Sequence, residues 1–460
     1  MMKITVLNGS PKGETSVTMQ YINYIKKKFP RHEYVLHNIS ARIKKIEKMD
    51  SEFADIIKEV ESSDGVIWAT PVYTLFVPAQ YMRFIELVNE KNATGAFKNK
   101  YATVITTSIH FYDHTAHRYM NAVCDDFDMH YTGFFSAEMN DLLSSSGRDE
   151  LLMFAGNYFG SIENNIKKQK YLQPVVTNDF VFSPNEVTEP VQTGGKKIIV
   201  LTDSNDENSN LGKMIRRFTD SFVGNIETIN IRDIDIKGGC LGCIKCGYDN
   251  TCVYRDEFFS FYKSKVLTAD IIIFACELKF RNFSSKWKEF FDRRFFMNHV
   301  PEMKGKQLGV IIAGPISQMP YLYDFYHGIS EGRLMGGNIA GFVKDECCDS
   351  DNINDSLQFL AENSVSYAKK GYVSSQTFLG IGSSKIFRDA VWGKLRFIFQ
   401  ADHKYFKNNG YYDFPQKKIK ARIVNTLFML LTKLPPFRKE LYKRIKNEII
   451  KPHQKVVDRY

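Results

Sequence analysis

Four short, almost unbroken apolar runs, separated by stretches of helical spacing, occur twice along the chain in the same order. The first set is Lys3–Asn8, Tyr34–Ile39, Asp64–Thr70 and Ala102–Thr107; the second is Lys197–Ser204, Glu227–Ile231, Asp270–Cys276 and Leu308–Ala313. Apolar runs of this length without polar alternation read as strands covered on both faces. The stretches that follow them, with Met19, Tyr21, Ile22 and Ile25 in the first copy and Met214, Ile215 and Phe218 in the second, repeat near 3.6 and supply the covering helices. The pattern predicts an α/β chain of two doubly wound parallel sheets in tandem.

Spacing shows where the copies diverge. From Ile39 to Thr70 the first advances 31 residues, whereas from Ile231 to Cys276 the second advances 45. The insert contains Cys240, Cys243, Cys246 and Cys252, four of the eight cysteines, spaced C-x2-C-x2-C-x5-C. Three thiols at successive i+3 spacing and a fourth close by form a pattern suited to a 4Fe-4S cluster. Four-cysteine zinc sites usually use two separated pairs, so iron is preferred over zinc. A loop of reduced, free thiols is the plainer alternative. Cys124, Cys276, Cys347 and Cys348 are expected to be buried or incidental.

The expected boundaries are 1–175 for the first domain, 176–195 for a polar linker, 196–375 for the second domain and 376–460 for a basic helical C-terminal extension. Charge marks the last of these. Residues 376–460 hold 19 Lys or Arg against 6 Asp or Glu, and the remainder of the chain 43 against 46. A basic tail on a near-neutral body points to an anionic partner for the tail alone. No nucleic-acid motif accompanies it, so nucleic acid is not expected. The apolar residues Leu427, Phe428, Leu430, Leu431 and Leu434 with flanking positive charge suggest peripheral membrane contact, against the plainer alternative of an arm packed over the domains. The start turns polar at Asn8 and no uncharged run reaches membrane-spanning length, so a cytoplasmic protein is expected.

After the first strand comes Gly9-Ser10-Pro11-Lys12 with Ser16 beyond it, and after the third Thr70-Pro71-Val72-Tyr73. With these motifs in this order, the chain resembles the flavodoxin-like NAD(P)H-dependent FMN reductases, and its cysteine loop resembles that of the iron-sulfur flavoproteins among them. The resemblance implies five-stranded parallel sheets. It also implies FMN held by Ser10, Lys12, Ser16, Val17, Thr18, Pro71, Val72, Tyr73, Thr107 and Ser108, with NAD(P)H as reductant and a quinone, nitro- or azo-type compound or a protein as acceptor. The first loop supports this physically, because a loop entering a helix offers free amides and a positive dipole end to a phosphate.

The second copy departs from the pattern. Its first loop reads Asp203-Ser-Asn-Asp206-Glu207, and Glu277 and Lys279 replace the Pro and Tyr. Carboxylates repel a phosphate at close range, so its flavin site is expected to be lost. The tandem then reads as an intramolecular pseudo-dimer, one copy keeping the flavin and the other the cysteine loop. No side chain is expected as general acid or base. Two other classes stay open: a ferredoxin-linked iron-sulfur electron carrier and a non-enzymatic flavodoxin-like scaffold. His110, His114 and His117 have helical spacing, but they lack an acidic metal-site pattern. They are expected in a polar loop or helix start near the flavin, with Asp113 as a cap or turn residue.

Overall fold

The computed structural model describes residues 1–331 and 337–459. It consists of two compact units, Met1–Tyr405 and Phe406–Tyr460. The first unit contains two five-stranded, all-parallel sheets. In chain order their strands are β1 (Lys3–Asn8), β2 (Glu33–Asn38), β3 (Gly65–Pro71), β4 (Tyr101–Ser108) and β5 (His130–Glu138), then β6 (Ile198–Thr202), β7 (Glu227–Asn230), β8 (Ile271–Glu277), β9 (Gln307–Ala313) and β10 (Asn338–Lys344). The spatial orders, β2-β1-β3-β4-β5 and β7-β6-β8-β9-β10, are the same order repeated. The register repeats too: Ile4 pairs with Gly65 and Ile198 with Ile271; Gly65 pairs with Tyr101 and Ile271 with Gln307. These are two flavodoxin-like sheets in tandem.

Central strands are buried along nearly their whole length, which explains their unbroken apolar sequence. Three hydrophobic clusters stabilise the unit. One covers a face of the first sheet and another a face of the second, while the third contains residues of both copies. At its centre Phe76 stacks on Phe325, with centroids 5.2 Å apart, and Phe283 lies 5.0 Å from Phe325.

The copies meet through the helices Ala79–Glu90 and Ser285–Arg293. Each helix start is capped by the other copy. The Ala79 amide donates to the Asp292 carboxylate at 2.9 Å, and the amide and hydroxyl of Ser285 donate to that of Glu86. The exchange is reciprocal, as across a two-fold interface. One fully buried ion pair breaks the symmetry. Lys288 pairs with Asp292 and also donates to the Tyr73 carbonyl at 2.8 Å, so a second-copy lysine holds a first-copy loop. Between the copies, Phe182 anchors the linker in the second core.

In the second unit, the helices Ile419–Leu431 and Pro435–Val457 follow one another after a 3-10 turn at Pro415–Lys417. Among the described residues no helix is long and apolar enough to cross a membrane.

Candidate active site

The loop after β1 is shaped by its own polar groups. Asn8 Oδ1 accepts the Ser10 amide at 3.0 Å, and Ser10 Oγ accepts that of Lys12 at 3.3 Å. Gly9 lies so close to its neighbours that an added Cβ would fall 2.7 Å from the Tyr81 ring and 2.8 Å from Thr70 Oγ1; no other residue fits there. Ser16 caps the helix Val17–Lys28, its hydroxyl accepting the Met19 amide at 3.3 Å. The first amides of a helix have no partner within it, which leaves those of Val17 and Thr18 for an anion. Thr18 Oγ1 lies 2.6 Å from Thr107 Oγ1, linking this loop to the end of β4.

The end of β3 turns back on itself. Tyr73 and Phe76 exchange backbone hydrogen bonds of 2.8 and 3.0 Å, and the two residues between, Thr74 and Leu75, have φ of 36° and 71°. Phe291 of the second copy accepts the Thr74 hydroxyl at 3.3 Å. Burial pushes the Tyr73 phenol well above its usual pKa.

All ten residues expected to hold a cofactor line one cavity of about 280 Å³. Its other walls come from elsewhere in the chain. The second copy supplies Cys240, Gly242, Ile244 and Phe295, and the segment after residue 378 supplies Phe387, Leu395, Ile398 and Phe399. Phe387 sits edge-on to Phe111 at 6.1 Å and to Phe399 at 5.6 Å. Gly242 approaches Tyr73 so closely that a Cβ would fall 1.8 Å from its hydroxyl oxygen. The lining thus offers hydroxyls, helix-start amides and Lys12 from the first copy's loops, and aromatic and aliphatic surface with Asp292, Asn298, His299 and Asp402 from the rest of the chain. That donor set fits a phosphate joined to a flat ring, as in FMN.

The second copy keeps the backbone and changes the chemistry. Lys279 and Asn282 repeat the exchanged hydrogen bonds, with Phe280 and Arg281 in the left-handed region at φ 50° and 68°. However, Asp203 follows β6 where Gly9 follows β1, and its buried carboxylate accepts the Ser284 hydroxyl. Burial pushes that carboxyl up. The matching cavity, about 1200 Å³, is charged on both walls, with Asp203 and Asp206 on one side and Arg42, Lys44 and Arg83 on the other.

Cys240, Cys243, Cys246 and Cys252 surround a small cavity of about 40 Å³ beside the flavin-type cavity. Sulfur acceptors here have donors: the Gly242 amide to Cys240 at 3.4 Å and Arg293 to Cys252 at 3.9 Å. His299 Nε2 lies 3.2 Å from Cys246 Sγ, while its Nδ1 lies 2.8 Å from Asp402 Oδ2. Burial pushes the Cys240 thiol up to about 12 and the Cys246 thiol higher still, with neighbouring thiols adding to both. Among the described residues no group of three His, Cys, Asp or Glu side chains is arranged to hold a metal ion. His299 and Asp402 also line the larger cavity. Sequence patterns did not mark them: each is a single residue with no motif, and they lie 103 residues apart.

The three spaced histidines do not converge. His110, in the left-handed region, bonds Asp113 at 2.9 Å; His114 lies 3.4 Å from Asp324; His117 bonds Thr106 at 2.7 Å and stacks on Phe134. The helix begins at Asp113, so His110 is outside it. Burial alone would raise the Asp113 carboxyl, but hydrogen bonds from His110 and Ser136 outweigh it and bring it to about 2. Burial lowers His117 to about 4, so it is neutral at physiological pH.

A family profile described as NADPH-dependent FMN reductase matches residues 2–133 and again 196–319, more than half of the chain. The chain belongs to this FMN reductase family. It carries the family domain twice and is an NAD(P)H-dependent FMN oxidoreductase. None of the curated proteins compared with it matches. Solved structures resemble one copy at a time. The flavoenzyme NAD(P)H:(acceptor) oxidoreductase FerB from Paracoccus denitrificans is 17% identical, covering 36% of this chain and 98% of its own, with a TM-score of 0.28. An NADH:FMN oxidoreductase, EMOB, is 14% identical over 38% of this chain and 98% of its own, at 0.32. The FMN-dependent NADH-azoreductase from Bacillus anthracis is 13% identical over 36% and 97%, at 0.25.

Proposed function

We propose that this FMN reductase binds one FMN, in the first copy, and uses it to pass electrons from NAD(P)H to a small quinone-, nitro- or azo-type acceptor. The observation that carries the reading is the single cavity lined by phosphate-type donors from the first copy's loops and by aromatic and aliphatic surface from the rest of the chain. FMN supplies the hydride and electron chemistry; the chain's residues supply its setting. Ser10, Ser16, Thr18 and the amides after Ser16 would take the phosphate, with Lys12 adding charge. Pro71–Tyr73 and Thr107–Ser108 would flank the ring. Phe387, Leu395 and Phe399 would give the ring an apolar wall.

The cysteine loop belongs to the same reading. Cys240, Cys243, Cys246 and Cys252 would hold a 4Fe-4S cluster as a one-electron relay to a carrier protein. Two features favour it: the four cysteines line one small cavity, and Arg293 and the Gly242 amide donate toward two of their sulfurs, as thiolate ligands accept. The tandem is then a covalent pseudo-dimer in which each copy completes the other's site. In the ferredoxin-linked alternative the same loop is the main entry for electrons.

Anaerobically purified protein separates these readings. An FMN-dependent rise in melting temperature, reduction by NADH or NADPH, and about four irons per chain are expected. Flavin without iron removes the relay and leaves the reductase. Iron with reduction only by ferredoxin favours the carrier, and no response to FMN removes the flavin reading.

A further inference from the structure

We propose that the C-terminal unit is a docking surface for an anionic lipid bilayer, independent of the flavin site. The helix Ile419–Leu431 is exposed along nearly its whole length, and beside Lys420, Arg422, Asn425 and Thr426 its exposed residues include Ile423, Val424, Leu427, Phe428, Met429 and Leu430. A helix that is apolar on several sides is normally buried in a core or in lipid. An exposed apolar patch of this kind marks an interaction site.

Charge identifies the occupant. From Pro415 to Lys439 there are seven Lys or Arg and no Asp or Glu. Lys417, Lys418, Lys420 and Arg422 lie at one end of the apolar run and Lys433, Arg438 and Lys439 at the other. A second copy of this unit would bring like charges together, since residues 406–460 hold 14 Lys or Arg against only Asp413, Glu440, Glu448 and Asp458. A nucleic-acid backbone would satisfy the cations but give aliphatic Ile, Val, Leu and Met side chains nothing to bury against. An anionic bilayer meets both requirements, with headgroup charge for the lysines and acyl chains for the apolar residues.

Length sets the geometry. Thirteen residues span about 20 Å as a helix, short of the roughly 30 Å hydrocarbon core, so the helix lies in the interface and does not cross it. The following helix, Pro435–Val457, continues the design. Tyr442, Ile449 and Val456 recur at intervals of seven on its exposed surface, with Lys443 and Lys455 beside them, while Arg444 and Lys451 pair with Glu440 and Glu448 of the same helix.

The test is flotation of the full chain with vesicles of phosphatidylcholine alone or with about one third phosphatidylglycerol. The protein is expected to float with the anionic vesicles only, and to be released at about 0.5 M salt, where charge attraction is screened. Changing Lys417, Lys418, Lys420 and Arg422 together to Glu is expected to lower vesicle partitioning more than about tenfold. Leu427→Ser with Phe428→Ser is expected to do the same. Both sets lie on exposed positions, so an unchanged main melting transition shows that the fold survived. Equal floating with neutral vesicles, no floating with either, or charge variants that float like the parent would overturn the proposal. So would these substitutions abolishing self-association or polynucleotide retention in a protein that ignores vesicles.

Discussion

The two copies share a strand order, a register and a strand-end turn with two left-handed residues, yet the cavity at the first is lined by Ser10, Lys12, Ser16 and Thr18 and that at the second by Asp203, Asp206 and Glu277. The difference lies in a few side chains. Gly9 and Pro71–Tyr73 in the first copy face Asp203 and Glu277–Lys279 in the second. In the second turn Arg281 is buried and reaches Asp126 of the first copy at 2.7 and 2.8 Å, so a position that flanks the cofactor cavity in one copy is an interface tie in the other. Backbone geometry alone therefore does not make the site. In the second copy the turn serves as a contact between the copies, and the cysteine loop and the segment after residue 378 line the cavity of the first.

The largest expected effect concerns the ion pair that breaks the symmetry. Lys288 of the second copy occupies the place that Met82 has in the first, and both it and Asp292 are buried. Lys288→Met leaves the Asp292 charge without its partner and is expected to cost about 3–5 kcal/mol in denaturant unfolding. A loss below about 1 kcal/mol would mean that the two copies are not locked together there.

Acid sensitivity should also belong to one copy. Buried His117 has its counterpart in Tyr323, which packs on Phe342 as His117 does on Phe134. With the folded His117 near 4 and the unfolded chain near 6.5, the unfolded state binds more protons between those values. Stability is then flat above about pH 6.5 and falls toward pH 4, by on the order of 3 kcal/mol. His117→Tyr is expected to flatten that part of the curve, and an unchanged slope would assign it to other groups.

Gly9→Asp imposes the second copy's residue on the first. Steric conflict with Tyr81 and a charge beside the phosphate are expected to weaken FMN binding about a hundredfold, read by fluorescence titration, while Asp203→Gly alone creates no second site. Equal affinity in Gly9→Asp would detach the loop from the cofactor. The smallest effect is expected for His299→Leu, which leaves buried Asp402 and Cys246 without their partner. A loss of about 1–2 kcal/mol with FMN affinity retained would place His299 with the cysteine loop; loss of FMN would place it in the flavin site.

The sequence made the central strands legible because burial on both faces leaves an unbroken apolar run. Edge strands β5 and β10 mix polar and apolar residues, as in His130-Tyr-Thr-Gly-Phe-Phe-Ser-Ala-Glu138, and gave no such signal. The cofactor loops were legible for a related reason: each is a contiguous motif at the end of a strand. The opposite wall was not, since Phe295, His299, Phe399 and Asp402 meet only through tertiary packing. Histidine spacing suggests a polar loop or helix start, and His110 lies in the loop before the helix that begins at Asp113, with His114 and His117 in its first turns.

Divided labour between the copies is tested most directly by counting FMN bound per chain at saturation. The account predicts one, lost in Gly9→Asp and retained in Asp203→Ala. Two FMN per chain would contradict it.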